Sequence, residues 1–194
     1  MGDIVSSSSV FKVIHLSPNY LGTMAGCAAD CSKLLEDLED VTVLNGGEEG
    51  EEEEVGVDLK MLSVKLSDKM YSLRGRGGEQ GLSVGTMLCG FERGGGGGIY
   101  YCDSEGNREK IRDYAAVGSG GDVAGGVMEA GLKRSPDGGV VMTDEDAESL
   151  IVKAVRTAAE SDGFSGGYLQ LYRITPKGWT RLLRGGPEDY YKTL

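Results

Sequence analysis

The amino-acid sequence predicts an α+β protein built as a four-layer αββα sandwich, in which two β-sheets are covered by helices. Segments with strand-like alternation of apolar and polar residues come in consecutive blocks, and segments with helical apolar spacing come in pairs between them. The resulting order is β-β-α-α-β-β-β-α-α-β-β. Because the apolar stripe of a helix must pack on an apolar sheet face, this order favours two stacked sheets with helices outside them.

The first half of the sequence supplies two strands and a helix pair. Strands are predicted at residues 10–15 and 20–26, and a first helix at residues 27–38. A second helix is predicted at residues 57–73, where apolar residues recur at three- and four-residue spacing. These residues are Leu59, Leu62, Leu66, Met70 and Leu73.

An acidic segment separates these two predicted helices and carries most of the net charge. The formal charge is −11, and ten of the 31 acidic residues lie within residues 36–54, with no basic residue among them. We expect residues 45–55 to form a solvated, disordered insert in a single domain that covers residues 1–194. The remainder is nearly neutral, which argues against binding to nucleic acid or to an acidic membrane surface.

The middle of the sequence predicts three strands joined by tight turns. The strands are expected at residues 83–92, 99–103 and 112–118. The glycine-rich residues 94–98 predict a hairpin loop, and residues 104–107 predict a turn.

The last part of the sequence predicts two helices and a closing strand pair. A helix is expected at residues 122–132, and Thr143 is expected to cap a second helix whose first turn is acidic. The predicted apolar stripe of that second helix consists of Ala147, Leu150, Ile151, Ala154, Val155 and Ala158. Strands at residues 167–174 and 179–183 follow.

Several classes of protein are disfavoured by composition. No apolar run reaches the length of a membrane span, and the first nine residues lack the basic start and apolar centre of a signal peptide. Four cysteines without a CxxC pair, and a single histidine, make a zinc site improbable. The cysteines are expected to be buried, reduced thiols of an intracellular protein.

Residues 21–31 join a strand to a helix through very small side chains, LGTMAGCAADC. Small residues let a ligand approach the backbone, and the free N–H groups at a helix start point toward such a ligand. This arrangement is typical of an oxyanion hole or of a wall that binds a peptide.

The same segment resembles the GTMAGGAADC signature of chymotrypsin-like beta-type subunits of the proteasome core particle, a family of N-terminal nucleophile hydrolases. Further ordered blocks resemble this family along most of the sequence. They are residues 9–14, 81–90, 100–108, 117–120, 125–128 and 161–167, together with Tyr172. The resemblance implies the same four-layer fold and a threonine endopeptidase that requires no cofactor and no metal.

The resemblance also implies roles for individual residues. Lys12 matches the lysine that favours the deprotonated nucleophile, and Gly26 matches the backbone donor of the oxyanion hole. Ser119, Asp162 and Ser165 match the polar cluster that orients the nucleophile. The alternatives are a solvated strand lysine for Lys12 and ordinary helix-end and turn residues for this cluster.

Four further residues match the wall of the pocket for the substrate residue before the cleaved bond. They are Val10, Ile14, Met24 and Ala28. An apolar wall implies cleavage after hydrophobic residues. The alternative for Met24 is a core residue that contacts no substrate.

The family places its nucleophilic threonine upstream of the position where Met1 aligns, so we expect this sequence to be incomplete at its N-terminus and to lack the nucleophile. Processing before Thr23 would remove Lys12, and Thr86 also lies within a strand match. An incomplete gene model is favoured over a non-catalytic paralogue, because a chain without a nucleophile has no reason to keep matching Lys12 and Asp162. The alternatives in function are a structural ring subunit and an unrelated N-terminal nucleophile amidohydrolase.

The resemblance also implies partners and a location. We expect other beta subunits, alpha-ring subunits and unfolded or ubiquitinated polypeptide substrates as partners, without nucleic acid or membrane. We expect the protein in the cytoplasm and the nucleus.

Overall fold

The computed structural model describes residues 12–27, 30, 31, 34, 58–74, 83–92 and 95–185. The chain divides into two compact units. We call residues 12–112 with 174–179 the sheet unit, and residues 113–173 with 180–185 the helix-pair unit. The structure therefore combines helices with antiparallel sheets, as predicted. The predicted acidic insert lies outside the described residues. The helix predicted at residues 27–38 is described at Asp30, Cys31 and Leu34, which are helical.

The sheet unit contains a five-stranded antiparallel sheet and one described helix of defined length. The strands follow one another in space as they do in sequence. They are β1 (Val13–Ser17), β2 (Tyr20–Gly26), β3 (Val84–Phe91), β4 (Gly97–Asp103) and β5 (Arg108–Ile111). Helix α1 (Leu59–Leu73) lies in the chain between β2 and β3.

The predicted strand at residues 112–118 is wrong, because the third strand of this block is β5. The carboxylate of Asp103 accepts hydrogen bonds from the backbone N–H of Glu105 and of Asn107 and from the Asn107 amide. These hydrogen bonds close a short turn after Asp103. The next strand therefore begins at Arg108, which pairs with Cys102 of β4. Residues 112–118 follow as irregular chain.

The core of the sheet unit lies between α1 and one face of the sheet. Leu59, Leu62, Leu66 and Met70 are fully buried, which confirms the helical spacing seen in the sequence. They belong to the same buried cluster as the strand residues Ile14, Met24, Val84, Leu88, Tyr100 and Cys102. Burial of apolar side chains on this scale is the main stabilising contribution to such a unit.

One buried polar atom in this core leads to a first prediction. Thr86 is fully buried in β3, and its hydroxyl has no hydrogen-bond partner in the described part of the chain. Thr86→Val keeps the shape and removes the unsatisfied hydroxyl, so we expect it to stabilise the protein by about 1 kcal/mol. The midpoint of denaturant unfolding measures this change.

Thr175→Val serves as the matched control, because the Thr175 hydroxyl donates to the Gly178 carbonyl at 3.0 Å and accepts from the Lys177 N–H at 3.2 Å. This control should destabilise the protein. A lower unfolding midpoint for Thr86→Val would contradict the prediction.

The helix-pair unit contains α2 (Gly121–Gly131) and α3 (Asp144–Ser161), which contact each other. The predicted cap of α3 is confirmed, since the Thr143 hydroxyl accepts a hydrogen bond from the Asp146 N–H at 3.1 Å. Three acidic residues occupy the first turn, where the helix dipole favours negative charge.

The predicted apolar stripe of α3 is only partly correct. Leu150, Ala154 and Ala158 are buried, but Ile151 and Val155 are 38% and 43% exposed, and Val152 is buried instead. The buried face of α3 is therefore rotated relative to the stripe read from the sequence.

A closing hairpin is formed by β6 (Leu169–Thr175) and β7 (Gly178–Gly185), which pair as a two-stranded sheet. The predicted strands at residues 167–174 and 179–183 are confirmed, with β6 beginning two residues later. None of the helices among the described residues is long and apolar enough to cross a membrane.

Candidate functional site

The junction after β2 brings the backbone of Gly26 against that of Ser83. The Cys27 N–H donates to the Ser83 carbonyl at 2.8 Å, and the Ser83 N–H donates to the Asp30 carboxylate at 3.2 Å. Gly26 is exposed and has a φ of 124°, and a Cβ there would lie 2.0 Å from the Ser83 oxygen. Only glycine fits at this position. Gly26 is also the residue whose backbone N–H is predicted to donate to the oxyanion.

Lys12 lies immediately before β1 and is exposed. Its carbonyl accepts a hydrogen bond from the Met24 N–H at 3.1 Å, which extends the β1–β2 pairing by one step. Burial raises the pKa of the Cys31 thiol, and the nearby positive charge of Lys12 opposes that rise. Lys12 is therefore a solvated cation within electrostatic reach of the residues that follow the Gly26 junction.

The predicted pocket wall is described at two of its four positions. Ile14 and Met24 are buried in the core cluster of the sheet unit, in agreement with the alternative in which Met24 fills the core. Val10 and Ala28 lie outside the described residues. The role of these four residues in substrate binding stays a prediction.

The predicted polar cluster is assembled in the helix-pair unit. The hydroxyls of Ser119 and Ser165 both donate to Oδ2 of Asp162, at 2.5 and 2.6 Å. The Phe164 N–H approaches the other carboxylate oxygen, Oδ1, at 3.4 Å. The hydrogen bond from Ser119, and then that from Ser165, holds the pKa of Asp162 below its usual range.

Two helix termini position this cluster. Asp162 is the C-cap of α3, and its N–H donates to the Ala158 carbonyl at 2.8 Å. Gly120 is the N-cap of α2, and a Cβ there would lie 2.8 Å from the Ser165 hydroxyl and 2.9 Å from Ala158. Glycine thus lets the positive end of α2 approach the Asp162 carboxylate, which favours its ionised form.

The predicted site residues therefore fall into two groups, Lys12 and Gly26 in the sheet unit and the Asp162 cluster in the helix-pair unit. Sequence reasoning did not identify Ser83, Asp30 or Gly120 as supports. All three nevertheless lie inside segments that resemble the family, which is the signal that could have pointed to them.

The cysteines do not all behave as expected. Cys31 and Cys102 are buried, and burial raises the pKa of Cys102 to about 12. Cys27, however, is an exposed free thiol beside Gly26, immediately after the end of β2. Among the described residues, no three potential ligands are grouped so as to bind a metal ion.

Comparison with known proteins identifies the relatives of this chain. It is 39% identical over 184 residues to proteasome subunit beta type-5 of Gallus gallus, which covers 93% of this chain and 64% of that protein. It is 40% identical over 182 residues to beta type-5-A of Arabidopsis thaliana, covering 94% and 61%. It is 34% identical over 184 residues to beta type-8 of Homo sapiens, covering 93% and 60%. The chain thus spans less than two thirds of the length of these relatives.

A family model described as "Proteasome subunit" matches residues 1–174. That match covers most of the 194 residues and includes both groups of predicted site residues. The chain therefore belongs to the proteasome subunit family and, within it, is similar to beta type-5 subunits.

Proposed function

We propose that this chain acts as a beta subunit of the proteasome core particle and contributes to a threonine-type endopeptidase that cleaves unfolded polypeptides after hydrophobic residues. The observation that carries the proposal is the convergence of Ser119 and Ser165 on one oxygen of Asp162, in a chain of the proteasome subunit family. A carboxylate that holds two hydroxyls in fixed positions is suited to orienting a nucleophile and its amine.

The proposed reaction assigns a distinct task to each group of residues. A threonine hydroxyl at the mature N-terminus of the subunit attacks the peptide carbonyl, and the free α-amine of that threonine takes the proton. The positive charge of Lys12 favours the deprotonated hydroxyl, and the backbone N–H of Gly26 donates to the developing oxyanion. The Asp162 cluster holds the amine and the hydroxyl in place.

We further propose that the sheet unit forms one half of a four-layer αββα sandwich of the N-terminal nucleophile type. The face of β3 opposite α1 carries the apolar side chains Met87, Cys89 and Phe91, which are only partly exposed. Burial raises the pKa of Cys89 to about 11. A sheet with apolar residues on both faces requires cover on both, which supports a second layer on this side.

This function implies assembly with other beta subunits and with alpha-ring subunits, in the cytoplasm and the nucleus. The extensive similarity to proteasome beta type-5 subunits supports this proposal. Copurification of the tagged endogenous chain with those subunits tests it. A tagged chain that purifies alone as a monomer or dimer would favour the amidohydrolase alternative.

The decisive experiment is N-terminal sequencing and intact-mass analysis of this subunit within the purified particle. A free threonine as its first residue supports an enzyme. Any other N-terminus assigns the chain to a structural role in the ring.

Replacement of Lys12 tests the mechanism directly. We expect Lys12→Ala to lower kcat for a fluorogenic peptide with a hydrophobic residue before the cleaved bond by roughly a hundredfold or more, with little change in KM, because its charge acts on the nucleophile. The control is Lys65→Ala, since Lys65 is an exposed lysine on α1. Equal kcat values for the two variants would refute the role of Lys12.

A further inference from the structure

A cavity of about 350 Å³ lies in the sheet unit, and none of the residues assigned above lines it. It is lined by His15 and Ser17 of β1, by Pro18 in the following turn, and by Lys177, Gly178 and Trp179 around the hairpin between β6 and β7. This volume is in the range of small-ligand sites. None of these residues has a task in the proposed peptidase reaction.

The aromatic part of this cavity is held rigidly. The rings of His15 and Trp179 stack with centroids 4.1 Å apart and planes inclined by 26°. The Trp179 indole N–H donates to the Ser17 carbonyl at 3.0 Å, and its backbone N–H donates to the Pro18 carbonyl at 3.1 Å. Gly178 has a φ of 119°, a backbone conformation that favours glycine, and a Cβ there would lie 3.0 Å from the Pro18 carbonyl oxygen. A fixed pair of rings presents a flat apolar surface suited to another ring.

The charge of the cavity is positive, although the chain as a whole carries a net charge of −11. Lys177 is exposed, and its ammonium group makes no ion pair or hydrogen bond within the described part of the chain. None of the six described lining residues is acidic, so the Lys177 ammonium is not neutralised by a carboxylate in the lining. A single lysine matches one carboxylate better than a phosphate group, which is bound best by several donors such as clustered backbone N–H groups or arginine.

We propose that this cavity binds an aromatic ring that carries a nearby carboxylate, as in the C-terminal residue of a peptide ending in phenylalanine or in a free aromatic acid. The ring lies against the His15–Trp179 pair and Pro18, and the carboxylate pairs with the Lys177 ammonium. The proposal rests on the geometry of the sheet unit alone and is independent of the peptidase function.

Trp179 is the single tryptophan of the chain, so its fluorescence reports on this cavity alone. The full chain is titrated with acetyl-Gly-Gly-Phe as the free acid, with the same peptide as its C-terminal amide, and with 3-phenylpropionate. We expect saturable changes with both acids and binding of the amide weaker by about tenfold, the usual value of one charge-assisted contact. Tighter binding of the peptide acid than of phenylpropionate identifies a chain terminus as the source, and equal binding identifies a small acid.

Variants separate the contributions of ring and charge. Lys177→Met keeps most of the apolar stem and should reduce binding of the peptide acid to the level of the amide, whereas Lys65→Met on α1 should leave it unchanged. His15→Thr suits an exposed strand position, keeps the Trp179 signal and should weaken all three probes. Equal affinities for acid and amide, or an unaffected Lys177→Met variant, would overturn the proposal. AMP, which carries an aromatic base and a phosphate group, serves as a further probe. Tighter binding of AMP than of the peptide acid would also overturn the proposal.

Discussion

Gly26→Ala is expected to destabilise the protein by roughly 3 kcal/mol or more, the largest effect that we expect from a single methyl group added at any of the described glycines. Two causes add. The backbone at Gly26 has a φ of 124°, which L residues rarely adopt, and the new Cβ would lie 2.0 Å from the Ser83 carbonyl oxygen. Relief of this overlap requires the strand end to move away from Ser83.

That movement would also break the hydrogen bonds that fix the junction. The Cys27 N–H would lose its 2.8 Å contact with the Ser83 carbonyl, and the Ser83 N–H its 3.2 Å contact with Asp30. Because Gly26 is also the proposed oxyanion donor, peptide hydrolysis by the assembled particle should fall together with stability.

Gly97→Ala is the matched control within the same sheet. Gly97 begins β4, no atom lies within 4 Å of a Cβ built there, and its φ is outside the left-handed region. We expect its free energy of unfolding, measured in urea, to stay within about 0.5 kcal/mol of the wild type, with a correspondingly small shift of the midpoint. A Gly26→Ala midpoint equal to that of Gly97→Ala would show that the junction is not constrained as described.

Features that depend on local periodicity were predictable from the sequence. The spacing of Leu59, Leu62, Leu66 and Met70 determines one face of α1, and that face is fully buried. Thr143 before a run of acidic residues marks the start of α3, because a hydroxyl cap and the helix dipole act within one turn.

Two kinds of feature were not predictable in this way. One is a turn that is closed by a side chain, and the other is the part of a helix that its neighbours cover. The Asp103 carboxylate closes a turn that moves the fifth strand to Arg108–Ile111, which apolar alternation does not reveal. Ile151 and Val155 fit a helical stripe, but the surface available to α3 covers only part of that stripe.

The candidate site illustrates the same division. The resemblance to a family identified Ser119, Asp162 and Ser165, but no local pattern indicates that the Ser119 hydroxyl bonds to a carboxylate 43 positions later in the chain. Likewise, the approach of Gly26 to Ser83 joins segments that the sequence separates by two predicted helices.

Asp162→Asn is expected to lower peptide hydrolysis by the assembled particle by roughly a hundredfold or more. In the wild type, one oxygen accepts from Ser119 and Ser165, and the other is approached by the Phe164 N–H. An amide has only one oxygen. If that oxygen faces the two hydroxyls, the new NH2 group faces the Phe164 N–H, and the opposite orientation leaves both hydroxyls without their acceptor.

The control for this substitution is Asp122→Asn, which removes an exposed carboxylate from the first turn of α2 in the same unit. It should leave peptide hydrolysis nearly unchanged. Comparable losses in the two variants would mean that the Asp162 cluster has no special part in the reaction.

The pH dependence of stability tests the hydrogen bonds to the Asp162 carboxylate without a measurement of activity. Because the hydrogen bonds from Ser119 and Ser165 lower the pKa of Asp162 in the folded state, ionisation of this carboxylate favours folding above its unfolded pKa of about 4. This contribution is lost as the pH falls through the lower folded pKa. The difference in Tm between wild type and Asp162→Asn should therefore be constant from neutral pH to about pH 5 and should shrink below about pH 4. A difference that stays constant down to the acid limit of folding would show that the Asp162 carboxylate is not stabilised by the two serine hydroxyls.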